Sequence, residues 1–93
     1  MKRLLLPTSA FIRTARRLSR KDPGLREDLR YTLNLLAADA LDPRLKSHKL
    51  KGRLEGSWAC SAGYDLRIVF QFVKHNHREA VLLEAAGTHD DIY

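Results

Sequence analysis

Residues 58–86 read WACSAGYDLRIVFQFVKHNHREAVLLEAA, and their rhythm decides the fold. Within DLRIVFQFV (65–73), Leu66, Ile68, Phe70 and Phe72 alternate with Asp65, Arg67, Val69 and Gln71. Period two is the signature of a strand with one face buried. WACSA (58–62) is a strand before it, turned by Gly63, and AVLLEAA (80–86) is a strand after it, closed by Gly87. KHNHRE (74–79) between them is a polar hairpin loop. Three consecutive strands with short connections form an antiparallel meander. With the leucine–isoleucine–phenylalanine face turned inward, Arg67 stands on the open side of the sheet.

Upstream the period changes. KRLLL (2–6) is a short strand stopped by Pro7, after which Thr8 or Ser9 caps a helix through a side-chain oxygen. Phe11, Ala15 and Leu18 recur at helical spacing, with Arg13, Arg16, Arg17 and Arg20 mainly on the other side. KDPG (21–24) interrupts the chain; Asp22 caps and Pro23 opens a second helix, since proline at the first helical position gives up no needed N–H. Leu25, Leu29, Leu33 and Leu36 carry its stripe to about Ala38. So short a linker requires an antiparallel helical hairpin. ADALDPRLKSHKLKG (38–52) connects this hairpin to the meander. The expected class is α+β in the order β-α-α-β-β-β, with the helical hairpin on one face of a small, mainly antiparallel sheet.

At 93 residues the chain closes one modest core, so residues 1–93 are read as a single domain. No apolar stretch approaches the roughly 20 residues that span a bilayer. The opening MKRLLLPTSAF (1–11) begins like an export signal, but its apolar run stops at Pro7. A lone cysteine, Cys60, makes no internal disulfide and fits a reducing, cytoplasmic setting. The net charge is +6, and it is uneven. Residues 1–53 hold 14 Lys/Arg against 5 Asp/Glu, while residues 54–93 hold 3 against 6. A basic half of this size points to a polyanionic partner, nucleic acid foremost.

Two constellations carry chemistry. Asp65 and Arg67 share a strand face, and His89 follows the neighbouring strand with Tyr93 one helical turn beyond. Arginine stabilises charge on phosphate oxygens, histidine exchanges protons near neutrality, and tyrosine stacks on a base or bonds a phosphate. Together they suit acid–base work on a phosphodiester; the alternative is an ordinary surface arginine beside a histidine at a strand end. The second constellation is SHKLKGRLEGSW (47–58), where His48, Lys49, Lys51 and Arg53 lie near Trp58. Cations and an aromatic ring fit single-stranded RNA; the alternative is a solvated loop with Trp58 in the core. No cluster has zinc spacing and there is no glycine-rich phosphate loop, so neither metal nor cofactor is expected.

HKLKGRLEGSWACSAGYDLRIVFQF (48–72) followed by VLLEAAGTHDDIY (81–93) resembles the RelE/ParE superfamily of type II toxin–antitoxin toxins, in particular the YafQ-like mRNA interferases. The resemblance runs over essentially the whole chain. It implies the RelE-like fold and a ribosome-dependent endoribonuclease that cuts mRNA without metal, the ribose 2′-oxygen attacking the adjacent phosphate. It implies His89 as general acid, Arg67 as the phosphate-stabilising arginine, Asp65 as the group's carboxylate, Tyr93 as its terminal aromatic and His48 as its upstream histidine. Many YafQ-like relatives carry another histidine where this chain has Ser61, so the role of general base falls to His48, with Lys51 behind it. Arg13, Arg16, Arg17, Arg20, Lys49, Lys51 and Arg53 would grip RNA. The resemblance also implies an acidic antitoxin partner, in a toxin–antitoxin hetero-oligomer. Two relatives of the same fold stay open as alternatives: a ParE-like gyrase-inhibiting toxin, and a catalytically silent antitoxin-binding protein.

Overall fold

The computed structural model describes residues 2–92. The chain runs β1 (Leu4–Pro7), α1 (Ser9–Lys21), α2 (Pro23–Ala38), a 3₁₀ turn (Pro43–Leu45), β2 (His48–Lys49), a second 3₁₀ turn (Gly52–Leu54), β3 (Trp58–Ala62), β4 (Leu66–His75), β5 (Arg78–Thr88) and α3 (His89–Ile92). The strands form one mixed sheet in the order β1-β5-β4-β3-β2, with β1 parallel to β5 and every other pair antiparallel. The expected α+β arrangement is present, with α1 against β5 and α2 against β3. Among the described residues, no helix is long and apolar enough to cross a membrane.

The helix-facing side of the sheet is the core. Leu66, Ile68 and Phe70 of β4, Cys60 and Ala62 of β3, and Val81 and Leu83 of β5 meet Phe11, Leu29 and Leu36 from the helices, with Leu45 closing one end. Each such aliphatic or aromatic side chain stabilises the fold by about 1.5–3 kcal/mol through the water it no longer orders. Trp58 joins this side, stacked on Phe70 at 6.4 Å and edge-on to Phe72 at 5.2 Å.

The meander is longer than its sequence pattern. β4 and β5 continue through the polar KHNHRE segment until His75 pairs with Arg78, leaving only Asn76 and His77 as the turn. Both turn residues have positive φ, 51° and 65°. That is the mirror-image turn whose twist matches two antiparallel strands. At its other end β5 runs past Gly87, because its ladder continues to Leu66↔Thr88. Conversely Asp65, expected on the strand with Arg67, lies in the turn just before β4. A two-residue strand, β2, is added within the segment read as a connection; His48 and Lys49 pair with Ala59 and Trp58 over too short a run to show periodicity.

One irregularity docks the first helix. Val69 pairs with Ala85 but Phe70 pairs with Leu83, so Glu84 is an extra, bulged residue. Leu83 O accepts from Thr8 N at 3.0 Å, and Glu84 O accepts from the Thr8 hydroxyl at 3.1 Å. The same hydroxyl oxygen accepts from Phe11 N at 3.1 Å and caps α1. Thr8 thus joins the helix start to the bulge.

The opposite side of the sheet is only partly open. A small apolar cluster of Leu50, Ala59 and Val69, with Ala85 and Ile92 against it, covers its middle. The sequence pattern already put Val69 on that side, between Arg67 and Gln71; the two aliphatic side chains that cover it, Leu50 and Ile92, come from the loop and from α3.

His77 occupies a left-handed position that costs a non-glycine residue about 1–2 kcal/mol. His77→Gly should therefore raise unfolding stability by about 1 kcal/mol, read as a higher denaturation midpoint with an unchanged slope.

Candidate active site

The outer face of the sheet organises itself row by row. Ser61, Arg67 and Gly87 stand side by side on β3, β4 and β5. The next row, Ala59, Val69 and Ala85, belongs to the small apolar cluster. Beyond it Ser57 donates to Glu84 Oε1 at 2.6 Å and accepts from Gln71 Nε2 at 3.5 Å. The first row floors a cleft of about 440 Å³ lined by Lys46, His48, Ser61, Arg67 and His89.

His89 reaches the cleft through local structure at the chain's end. Its backbone N–H donates to Asp65 O at 3.1 Å and lies 3.4 Å from Asp65 Oδ1. Thr88 and Asp91 then form a reciprocal cap: Thr88 N donates to Asp91 Oδ2 at 3.0 Å, and Asp91 N donates to the Thr88 hydroxyl at 3.2 Å. These bonds hold the Asp91 carboxyl below its ordinary value of 3.8, the Thr88 N–H contributing most. Gly87 makes the fold-back sterically feasible, since a Cβ there would lie 2.9 Å from Asp91 Cβ.

His48 is fixed from the other side. Its Nδ1 lies 3.0 Å from Lys46 O. A carbonyl only accepts, so Nδ1 carries the proton and Nε2 is the basic nitrogen of the neutral ring. Arg67 Nη1 donates to Leu66 O at 3.0 Å and to Tyr64 O at 3.4 Å, which anchors the guanidinium beside its own turn.

Of the residues expected to carry the chemistry, His48, Arg67 and His89 line one cleft. Asp65 is not on its wall; its carboxylate and carbonyl face the His89 amide, which makes it a residue that positions His89. Tyr93 lies outside the described residues. The expected RNA-gripping loop stays together: Lys49, Lys51 and Arg53 line a neighbouring hollow of about 400 Å³ with His48 and Ile92. The Lys49 ammonium also lies 5.8 Å from the centre of the Trp58 ring, and that ring packs against the main core. Arg13, Arg16, Arg17 and Arg20 share a shallow surface on α1 with Ser9 and Ile12. Arg17 also contributes to holding the Asp91 carboxyl low, which puts this basic surface beside α3.

Sequence reasoning missed Lys46 on the cleft wall. Its place two residues before His48 was a signal; its left-handed backbone, φ 52°, was not legible. Among the described residues, no group of three or more His, Cys, Asp and Glu side chains could hold a metal ion. Cys60 is buried and its thiol is pushed up to about 12 by burial, which leaves it protonated and inert.

Comparison with known proteins gives one family. The model of the bacterial toxin of type II toxin–antitoxin system, YafQ, matches residues 3–93. Among curated proteins, comparison of the sequence finds no match. Solved structures share the fold. YafQ from E. coli strain BL21(DE3) superposes with a TM-score of 0.76 at 18% identity, covering 99% of each chain. The E. coli DinJ–YafQ toxin–antitoxin complex gives 0.72 at 19% identity over 100% of this chain and 99% of the other. A YoeB/ParE toxin from Agrobacterium tumefaciens gives 0.77 at 16% identity over 92% and 98%.

Two outcomes follow for the tail. Gly87→Ala should leave the thermal midpoint of the main unfolding transition within a few degrees of wild type while displacing α3, seen as shifted His89 and Asp91 amide resonances. The Thr88 amide resonance should titrate with a midpoint below pH 3.8. The sign follows from the depressed carboxyl: the cap is complete above the ordinary value and is lost as pH falls through the folded one. Asp91→Asn should abolish that titration.

Proposed function

The chain belongs to the YafQ family of bacterial type II toxin–antitoxin toxins, and on that premise we propose that it is an mRNA interferase, an endoribonuclease that cuts mRNA on the ribosome. The observation that carries this reading is the shared cleft of His48, Arg67 and His89. Two imidazoles and a guanidinium supply a base, an acid and a fixed positive charge, the set that internal transesterification of RNA needs.

In the proposed reaction His48 Nε2 takes the proton of the ribose 2′-hydroxyl. The 2′-oxygen forms a bond to the adjacent phosphorus, and charge rises on the two non-bridging oxygens. Arg67 faces that charge, where a preorganised donor acts most strongly. As the bond from phosphorus to the 5′-oxygen breaks, protonated His89 gives its proton to the leaving oxygen. The products are a 2′,3′-cyclic phosphate and a 5′-hydroxyl. Asp65 holds the His89 backbone in register, and Tyr93 stacks on a neighbouring base. No step is assigned to a metal ion.

The basic faces support the accompanying partners. Arg13, Arg16, Arg17 and Arg20 on α1, with Lys49, Lys51 and Arg53 near β2, would engage ribosomal and messenger RNA. The solved DinJ–YafQ complexes contain a toxin with its antitoxin; for this chain we propose an acidic antitoxin that binds the same basic surfaces in a hetero-oligomer. The cytoplasm, where translating ribosomes lie, is the proposed site of action.

The test is cleavage of an end-labelled mRNA in a purified translation system. Wild-type protein should cut only with ribosomes present, and ribosome-free controls with and without EDTA should show no cutting. His89→Ala should lose about 10²–10⁴-fold in rate, the usual worth of a positioned acid, with its thermal midpoint retained. Equal cutting by both proteins removes His89 from the mechanism. No cutting by folded wild type, with gyrase-linked DNA breaks instead, replaces the reading with a gyrase poison.

A further inference from the structure

Lys46 has a place that the proposed mechanism does not use. Its backbone is held by the residues on either side. Leu45 before it is 1% exposed and belongs to the main core. Ser47 after it donates its hydroxyl to Ala40 O at 2.8 Å. His48 then enters β2, paired with Ala59. Between these anchors Lys46 closes the 3₁₀ turn, its N–H donating to Pro43 O at 3.2 Å, with φ 52° and ψ 42°.

A left-handed backbone is costly for a β-carbon residue, and glycine or asparagine is the usual occupant. Such costs persist where the surroundings over-determine the conformation, often at functional sites. Here the conformation does two things at once. It brings the Lys46 carbonyl within 3.0 Å of His48 Nδ1, which sets that ring's tautomer. It also keeps Lys46 on the lining of the cleft that His48, Ser61, Arg67 and His89 share.

We propose that Lys46 is a further catalytic residue, its ammonium supplying the second cation that faces the scissile phosphate. This rests on the nuclease reading of the cleft. Arg67 rises from the floor of the cleft, whereas Lys46 comes from the loop at its rim. Two cations on separate elements can face both non-bridging oxygens, as a single guanidinium anchored to Leu66 O and Tyr64 O does less completely. Ser61 on the floor is small and neutral, so the cleft leaves room for an ammonium to enter over it. The ligand is a phosphodiester bearing developing charge, and Lys46 acts on it as a point charge.

The backbone supplies a clean test. Lys46→Asn removes the charge but tolerates the left-handed conformation and keeps the carbonyl that holds His48. Lys46→Arg keeps the charge. Single-turnover cleavage of ribosome-bound mRNA should fall about 10–100-fold for Lys46→Asn. Most of that loss should lie in the maximal rate rather than in half-saturation. The pH profile should keep its shape, because His48 retains its tautomer. Lys46→Arg should recover to within about fivefold of wild type, and both variants should match its thermal midpoint.

Wild-type rates for Lys46→Asn overturn the proposal. So does equal impairment of both variants, which would assign Lys46 to holding the loop. A second readout separates this idea from the nuclease reading itself: fluorescence anisotropy with a labelled 2′-O-methyl RNA hexamer that cannot be cut. Losing one phosphate contact lowers the slope of log affinity against log salt by about 0.7, expected for Lys46→Asn and not for Lys46→Arg. If wild type cuts nothing, the nuclease reading fails. A lowered slope then still supports Lys46 as a phosphate cation, and an unchanged slope overturns that role as well.

Discussion

The register of β4 against β5 is the constraint on which the cleft depends. That ladder runs from Leu66↔Thr88 to His75↔Arg78 and carries Arg67 on one strand and the base of α3 on the other. A slip of one residue would turn Arg67 into the core and Ile68 out to water. Two local devices prevent it. At one end the turn admits only Asn76 and His77, both held at positive φ. Near the middle the extra residue Glu84 re-phases β5, so that Leu83 faces the helices while Ala85 joins the outer cluster. Thr8 then binds both carbonyls of the bulge, which ties the helical hairpin to the same register.

From that register the two faces of one sheet take different tasks. The inner face is close-packed and apolar, and it makes Cys60 an ordinary small core residue despite its chemistry. The outer face is graded along the strands: a polar row at one end, an aliphatic patch in the middle and the Ser61–Arg67–Gly87 row at the other. Ile92 on the aliphatic patch gives α3 an apolar foothold. A four-residue helix is far too short to persist by itself; its cap, its fold-back over Gly87 and this foothold supply what propensity does not.

Much of this was legible because the strongest sequence periods are those of the longest buried faces. Leu66, Ile68, Phe70 and Phe72 announced β4, and Phe11, Leu29 and Leu36 announced the helical faces; all seven lie in or against the main core. Arg67 and His89 were also readable, as candidates beside the open side of the sheet. The residues alone placed His48 in a separate basic loop, and it joined them only through the resemblance. Their meeting in one cleft was not readable. What was not readable depends on features without a period. β2 is two residues long, the bulge is one residue, and Asp65 was displaced into a turn by strand boundaries that alternation does not mark. Lys46 was overlooked because its importance comes from a backbone conformation, and lysine is not a residue that signals one.

The carboxylates around the cleft explain how a site of this charge is built without neutralising itself. Asp65 Oδ1 faces the His89 N–H and Asp91 Oδ2 accepts from the Thr88 N–H, both of them backbone groups. Asp90 approaches the His89 ring only to 3.9 Å and is fully exposed, where water screens it. Asp65 and Asp91 therefore fix the course of the chain, and the cleft is lined by Lys46, His48, Ser61, Arg67 and His89. Had Asp65 stood on the strand face beside Arg67, as period two implied, a carboxylate would have been the neighbour of that guanidinium. Its displacement into the preceding turn instead makes it the anchor of the His89 backbone.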